Sequence, residues 1–140
     1  MTTAFVTSRR VEFSDTDAAG MMHFVAFFRM MEQAEHDLLR SVGLSVVMQD
    51  SEGPISWPRV AARCDFQEAA RFEDMLEIEV RIARLGERSV TYSHQFRRAG
   101  QPLAAGQVTA VCCRMHKGAA PESMPIPPAI ADKLRPFVTV

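Results

Sequence analysis

Between residues 24 and 42 the apolar side chains stop alternating and recur at spacings of three and four. Phe27, Met31, Ala34, Leu38 and Val42 form one stripe, widened by Phe24, Phe28 and Leu39. Arg29, Gln33, Asp37 and Arg40 fall largely outside it, and Gly43 supplies a helix stop. At 1.5 Å per residue such a helix is roughly 28 Å long, about the width of a small domain. The segments after it alternate with period two. Val60, Ala62, Cys64 and Phe66 form one such set, Leu76, Ile78, Val80 and Ile82 a second, and Val90, Tyr92, His94 and Phe96 a third. A last run covers 103–115. Leu85-Gly86-Glu87 and Ala99-Gly100-Gln101-Pro102 are short turns, so these strands follow one another as hairpins.

Residues 5–14 read as a first strand, with Val11 and Phe13 at period two. Ser51-Glu52-Gly53-Pro54 is a loop, and the segment before it is compatible with a short helix. The tail, Pro125-Ile126-Pro127-Pro128 followed by AIADKL, reads as a proline-stiffened connector and a closing helix. A strand, one long helix and four antiparallel strands leave a sheet that can bury its inner face only against that helix. The expected class is α+β, a curved antiparallel sheet wrapped around one long central helix, as one domain over residues 1–140.

Composition excludes several functions. The chain has 140 residues, 47% hydrophobic and 24% charged, with a formal net charge of -1. No run of Lys and Arg forms a stripe for tracking phosphates, so nucleic acid is not an expected partner. Arg9-Arg10 and Arg97-Arg98 read as solvated strand ends. No apolar run approaches the ~20 residues of a membrane helix. The start, Met1-Thr2-Thr3-Ala4, lacks the regions of a signal peptide. The odd set Cys64, Cys112 and Cys113 fits buried free thiols in a reducing compartment, so the expected location is cytoplasmic. No H-E-x-x-H or C-x-x-C is present, no metal site is expected, and no cysteine stands in an electropositive turn.

The chemistry concentrates in 12–24, Glu12-Phe13-Ser14-Asp15-Thr16-Asp17-Ala18-Ala19-Gly20-Met21-Met22-His23-Phe24. Two carboxylates and a glycine turn stand just ahead of the long helix. The first N–H groups of a helix lack intrahelical partners and carry the positive end of its dipole. In a water-poor site they can stabilise an oxyanion and keep a nearby carboxylate ionised, ready to act as base or nucleophile. On residues alone, a plainer reading stands beside this one: Asp15 and Asp17 as turn or capping residues.

D-x-D-x-x-G before a long helix resembles the hotdog-fold thioesterases of the 4-hydroxybenzoyl-CoA thioesterase type. The ARFEDMLEIEVRIARLGERSVTYSHQFRR run and the P-I-P-P segment before the last helix are similar too. The likeness covers nearly the whole chain and is most specific over 11–43 and 72–96. It implies a hotdog fold and hydrolysis of an acyl-CoA to free acid and CoA, without a cofactor. Asp17 becomes the catalytic carboxylate, as nucleophile or general base, and Asp15 a supporting residue beside Gly20. The N–H groups around His23 and Phe24 polarise the carbonyl. The His23 side chain is either a hydrogen-bond donor to substrate or water, or a pocket wall. Glu32 is a second carboxylate to test, because another hotdog branch uses one on this helix; with His36 at i+4 it also reads as a satisfied polar contact.

Arg88 sits where the aromatic-acyl branch carries a basic cluster for coenzyme A, with Gly86 and Glu87 in place of two of its members. Arg84 is a further CoA-binding candidate. The likeness implies a homodimer, or a dimer of dimers, with sites at the subunit interface. Met21, Met22, Met30 and Met31 either line an adaptable acyl pocket or pack in the core, His94 reads as a core or interface residue and His116 as a surface one. Two other readings remain: a hotdog dehydratase or hydratase of hydroxyacyl or enoyl thioesters, and a non-catalytic module that binds acyl thioesters.

Overall fold

The computed structural model describes residues 3–139; Met1 and Thr2, part of the start read as lacking a signal peptide, lie outside the described residues. In chain order the elements are β1 (Phe5–Arg10), α1 (Phe24–Ser41), β2 (Met48–Asp50), β3 (Gly53–Ser56), β4 (Arg59–Phe66) and β5 (Met75–Leu85). Then come β6 (Ser89–Arg98), β7 (Gln101–Val111), β8 (Cys113–Arg114), β9 (Glu122–Ser123) and α2 (Pro128–Leu134). The main sheet is antiparallel in the order β1-β5-β6-β7-β4. It curves around α1 in a hotdog fold.

The two periodicities meet in the core. Leu76, Ile78, Val80 and Ile82 of β5 and Val90, Tyr92, His94 and Phe96 of β6 are buried. Ala26, Phe27, Met30, Met31, Ala34 and Leu38 of α1 are buried with them in one core. Gly106 of β7 sets how closely the helix approaches, because a Cβ there would stand 2.6 Å from the Met31 Sδ and 2.9 Å from the Arg63 carbonyl oxygen. At the C-terminus of α1, Gly43 takes φ +79°. Its N–H bonds the Arg40 carbonyl at 3.0 Å and the Leu44 N–H bonds the Leu39 carbonyl at 2.8 Å. That is a Schellman closure.

The structure departs from the sequence reading at four places. The first strand ends at Arg10, because Phe13–Asp15 forms a 3-10 turn in which the Glu12 N–H bonds Asp15 Oδ2 at 2.8 Å. Val11 is buried, but Phe13 is out in solvent against Phe72. Residues 48–56 form the β2–β3 hairpin rather than a helix, and with β8 and β9 they make a second, smaller sheet. Arg114 clamps this sheet, bonding Asp50 at 2.7 and 2.8 Å and the Gly53 carbonyl at 2.7 Å. The last apolar run divides accordingly into β7 and β8. Finally, Arg9 and Arg98 are not merely solvated: each forms a 2.7 Å ion pair, with Asp37 and Asp74.

β4 alternates as expected, yet little of the described chain covers it. It is an edge strand whose Val60 and Phe66 are 63% and 48% exposed. Among the described residues, no helix is long and apolar enough to cross a membrane.

Candidate active site

Between the 3-10 turn and α1 the chain makes a tight loop, and its hydrogen bonds set how each candidate group is presented. The Asp17 N–H bonds the Met21 carbonyl at 2.8 Å, and the Asp17 carbonyl accepts the Gly20 N–H at 3.0 Å. Gly20 turns the chain at φ +78°, in the left-handed region that glycine enters freely. The Met22 N–H bonds the Ala70 carbonyl at 2.7 Å, tying the loop to the connection between β4 and β5.

The two oxygens of Asp17 are treated differently. Oδ1 accepts the Ala19 N–H at 2.9 Å and the Met21 N–H at 3.4 Å, while Oδ2 has no hydrogen-bond partner among the described residues. One oxygen is therefore anchored by backbone and the other is unengaged. Asp17 borders a cavity of about 350 Å³ with Met21, Met22, Phe24, Phe27 and Phe66, closed by residues 67–70. Phe27 joins this wall to the core: its ring meets Phe66 edge-on at 5.1 Å and Phe96 edge-on at 5.2 Å.

His23 is the N-cap of α1. Its Nδ1 accepts the Val25 N–H at 3.1 Å, and its ring stacks on Phe24 at 4.7 Å. A neutral ring accepting through Nδ1 carries its proton on Nε2. The His23 N–H, grouped above with that of Phe24 as a carbonyl-polarising donor, is instead taken by the Asp15 carbonyl at 2.7 Å. The Phe24 N–H has no partner among the described residues, which leaves it as the open donor at the positive end of the helix. Asp15 organises this geometry, because its carbonyl holds His23 while its carboxylate binds the Glu12 N–H at 2.8 Å and Arg29 at 3.3 Å.

Asp15, Asp17, Gly20, His23 and Phe24 thus come together, and the other candidates stand apart. Glu32 lies two helical turns along α1, beside a second cavity of about 170 Å³ that also borders Glu35 and Arg59. Arg84 and Arg88 are at the β5–β6 turn, whereas the Asp17 loop meets the sheet near Met75, the other end of β5. The eleven residues of β5 put these ends roughly 33 Å apart. Arg88 bonds the Ser123 carbonyl at 2.9 Å. Met21 and Met22 border the Asp17 cavity, while Met30 and Met31 are core residues. His94 is in the core and His116 is exposed.

Sequence reasoning missed the cavity wall at 67–70, which has no periodic signature, and the pairing of buried Glu35 with half-buried Arg59, 2.6 Å apart. The second had a signal: Glu35 is an acid one residue after Ala34 within the apolar stripe. Burial raises the Glu35 pKa, against the opposing pull of Arg59. Desolvation is the largest influence on Arg59 and works against its charge, but the hydrogen bond to Glu35 and the attraction of that carboxylate together leave the arginine pKa raised.

The chain is similar to known proteins over most of its length. The family profile described as Thioesterase-like superfamily matches residues 11–134. A 1,4-dihydroxy-2-naphthoyl-CoA hydrolase of Synechococcus sp. strain WH7803 is 32% identical over 108 residues, covering 72% of this chain and 71% of the relative. Among solved structures, a 1,4-dihydroxy-2-naphthoyl-CoA thioesterase from Synechocystis superposes with a TM-score of 0.85 at 27% identity, covering 95% of this chain and 96% of the other. A gentisyl-coenzyme A thioesterase superposes at 0.80 with 28% identity, covering 93% and 99%. With its sheet curved around α1 and the profile match over most of its length, the chain belongs to the thioesterase-like superfamily and is a thioester hydrolase of the hotdog fold.

Proposed function

We propose that the protein hydrolyses an acyl-coenzyme A to the free acid and CoA, with Asp17 as the reacting carboxylate and the Phe24 N–H polarising the thioester carbonyl. One observation carries this reading. Asp17 Oδ1 is held by two backbone N–H groups while Oδ2 is unengaged, on the wall of the same cavity that Phe24 borders. Relatives named for hydrolysis of aryl-CoA thioesters support the choice of CoA as carrier. The chemistry calls on no metal or cofactor.

With the carbonyl seated near the Phe24 N–H, charge developing on its oxygen meets the positive end of the helix. In the direct route Oδ2 attacks the carbonyl carbon, the C–S bond breaks and the thiolate leaves to be protonated. Water then cleaves the mixed anhydride, returning the carboxylate and the product acid. In the alternative route Asp17 takes a proton from water, which attacks the same carbon. Single-turnover hydrolysis in oxygen-18 water separates them: water activation puts one label in the acid, whereas direct attack, with water then entering at the Asp17 carboxyl carbon, gives a first-turnover acid with both oxygens unlabelled and the label in Asp17.

The reading includes a homodimer joined through β4, the exposed edge strand, within a single-domain chain. Antiparallel pairing of β4 with a second copy about a two-fold axis puts the partner's β5–β6 turn end next to this chain's Asp17 end. That placement gives Arg88 and Arg84 a role in binding the CoA phosphates of the neighbouring site. The deciding experiment measures thiol release from short, long, branched and aromatic acyl-CoAs, beside Asp17→Asn. Undiminished turnover in the variant, or a change in enoyl absorbance without thiol release, would overturn it.

A further inference from the structure

Asp17 is not the only acid on the wall of its cavity. Glu68, in the connection between β4 and β5, borders the same space, and the hydrolytic chemistry makes no use of it. Its backbone N–H is fixed on the Leu103 carbonyl at 3.1 Å. Its carboxylate has no ion pair or hydrogen bond among the described residues. Phe24, Phe27 and Phe66 supply three aromatic rings, with Phe27 and Phe66 inclined at 72° to each other. Among the described residues, those bordering the cavity include two carboxylates and no Lys, Arg or His, a formal charge of -2. The cations around it are committed or turned away. Arg29 pairs with Asp15 at 3.3 Å, Arg98 pairs with Asp74 at 2.7 Å, and Arg71 is exposed outside the cavity.

Charge and rings together select a guest. An anionic acyl group is repelled by both carboxylates. A neutral one covers the Glu68 charge with nothing to balance it. A cation is attracted both by the carboxylate and by the faces of the rings, whose quadrupole favours positive charge. The kind of cation follows from the hydrogen bonds. A primary ammonium brings three donors that need acceptors. The wall carbonyls of Met21, Ala69 and Ala70 are already engaged, by the Asp17 N–H at 2.8 Å, Arg98 Nη1 at 3.1 Å and the Met22 N–H at 2.7 Å. A quaternary ammonium asks for no hydrogen bond, and Met21 and Met22 offer it polarizable thioethers.

We infer that the acyl group held in this cavity is cationic, bearing a quaternary ammonium that meets Glu68 and the phenylalanine rings while the thioester carbonyl faces the Phe24 N–H. The inference rests on the thioesterase reading above and names the class of acyl group. Glu68 is a specificity residue, touching the far end of the acyl group and taking no part in breaking the C–S bond. The cavity is polarised to match, with the positive end of α1 on one wall and the Glu68 carboxylate on another.

The test uses acyl-CoAs of increasing chain length that end in a trimethylammonium group. Each is paired with its neutral isostere, in which a tert-butyl group replaces the trimethylammonium, and with an acyl-CoA of matching length that ends in a carboxylate. Dissociation constants are read by calorimetry in the Asp17→Asn protein, where Glu68 is the one carboxylate left among the described residues of the wall, and thiol release in the protein with Asp17. The expected result is at least one length at which the cation binds about tenfold tighter than its isostere, and no gain for the carboxylate. Glu68→Gln, at an exposed position, should remove most of that preference, and Glu68→Lys should reverse it towards the carboxylate. No preference for the cation at any length, tighter binding of the carboxylate by the Glu68 protein, or a preference unmoved by Glu68→Gln would overturn the inference. Failure of the thioesterase reading is separate, appearing as no thiol release from any member of the set whatever the binding pattern.

Discussion

The His23 imidazole accepts the Val25 N–H at 3.1 Å while its own backbone N–H is held by the Asp15 carbonyl at 2.7 Å. One residue thereby closes the first turn of α1 and ties it to the loop that carries Asp17. His23→Ala removes the side-chain acceptor, and the expected loss is about 1 kcal/mol in a urea titration. Asn reaches the same N–H and should recover most of that stability. If Phe24 is the polarising donor, kcat should fall in the Ala variant more than in the Asn variant.

Asp17→Asn separates charge from geometry. The amide oxygen can still accept from Ala19 and Met21, so the melting temperature should change little. Thiol release should drop by about 10² to 10⁴, the usual range for losing a positioned acid–base group. A large fall in melting temperature would instead mark Asp17 as chiefly a turn residue.

Gly106→Ala tests the contact between helix and sheet. The new methyl would stand 2.6 Å from the Met31 Sδ and 2.9 Å from the Arg63 carbonyl oxygen. Overpacking of this kind costs about 1–3 kcal/mol. Met31→Ala in the same chain should relieve only the side-chain clash, so chemical denaturation of the double variant should show partial rescue.

His94 gives a pH signature. Burial depresses its pKa from 6.5 to about 4, and neither buried ring nitrogen has a hydrogen-bond partner among the described residues. The unfolded chain therefore binds the proton more readily than the folded one. Its contribution is fully present above the unfolded pKa and is lost as pH falls from 6.5 towards about 4. The loss is of order 3 kcal/mol at the lower limit. Subtracting the stability–pH curve of His94→Leu from that of the unmodified protein should isolate this slope, and parallel curves would remove His94 as its source.

Legibility in the sequence followed periodicity. α1 was readable because its stripe is long and stops at Gly43, and β5 and β6 because each buries one face and presents polar residues on the other. The β2–β3 hairpin was not, since strands of three and four residues are too short to show a period. What holds them in place is Arg114, more than sixty residues away along the chain. In the site, Asp15, Asp17, Gly20, His23 and Phe24 are consecutive enough to be seen together. The competition for N–H groups that occupies His23 and leaves Phe24 open depends on carbonyl positions no pattern encodes. Arg59 and Glu35 are twenty-four residues apart and meet only when β4 lies along α1.

Phe27 places a limit on how this enzyme can diversify. The ring that faces the Asp17 cavity also packs on Phe96, so shortening it to admit a bulkier guest opens a void in the interior at the same time. Large-to-small changes of that kind cost about 3–5 kcal/mol, a sizeable share of the stability of a small domain. Phe24 and Phe66, 58% and 48% exposed, carry no comparable burden. Laboratory selection for altered acyl preference should therefore accumulate replacements at those two positions first, and reach Phe27 only in lineages that have already acquired a stabilising change elsewhere.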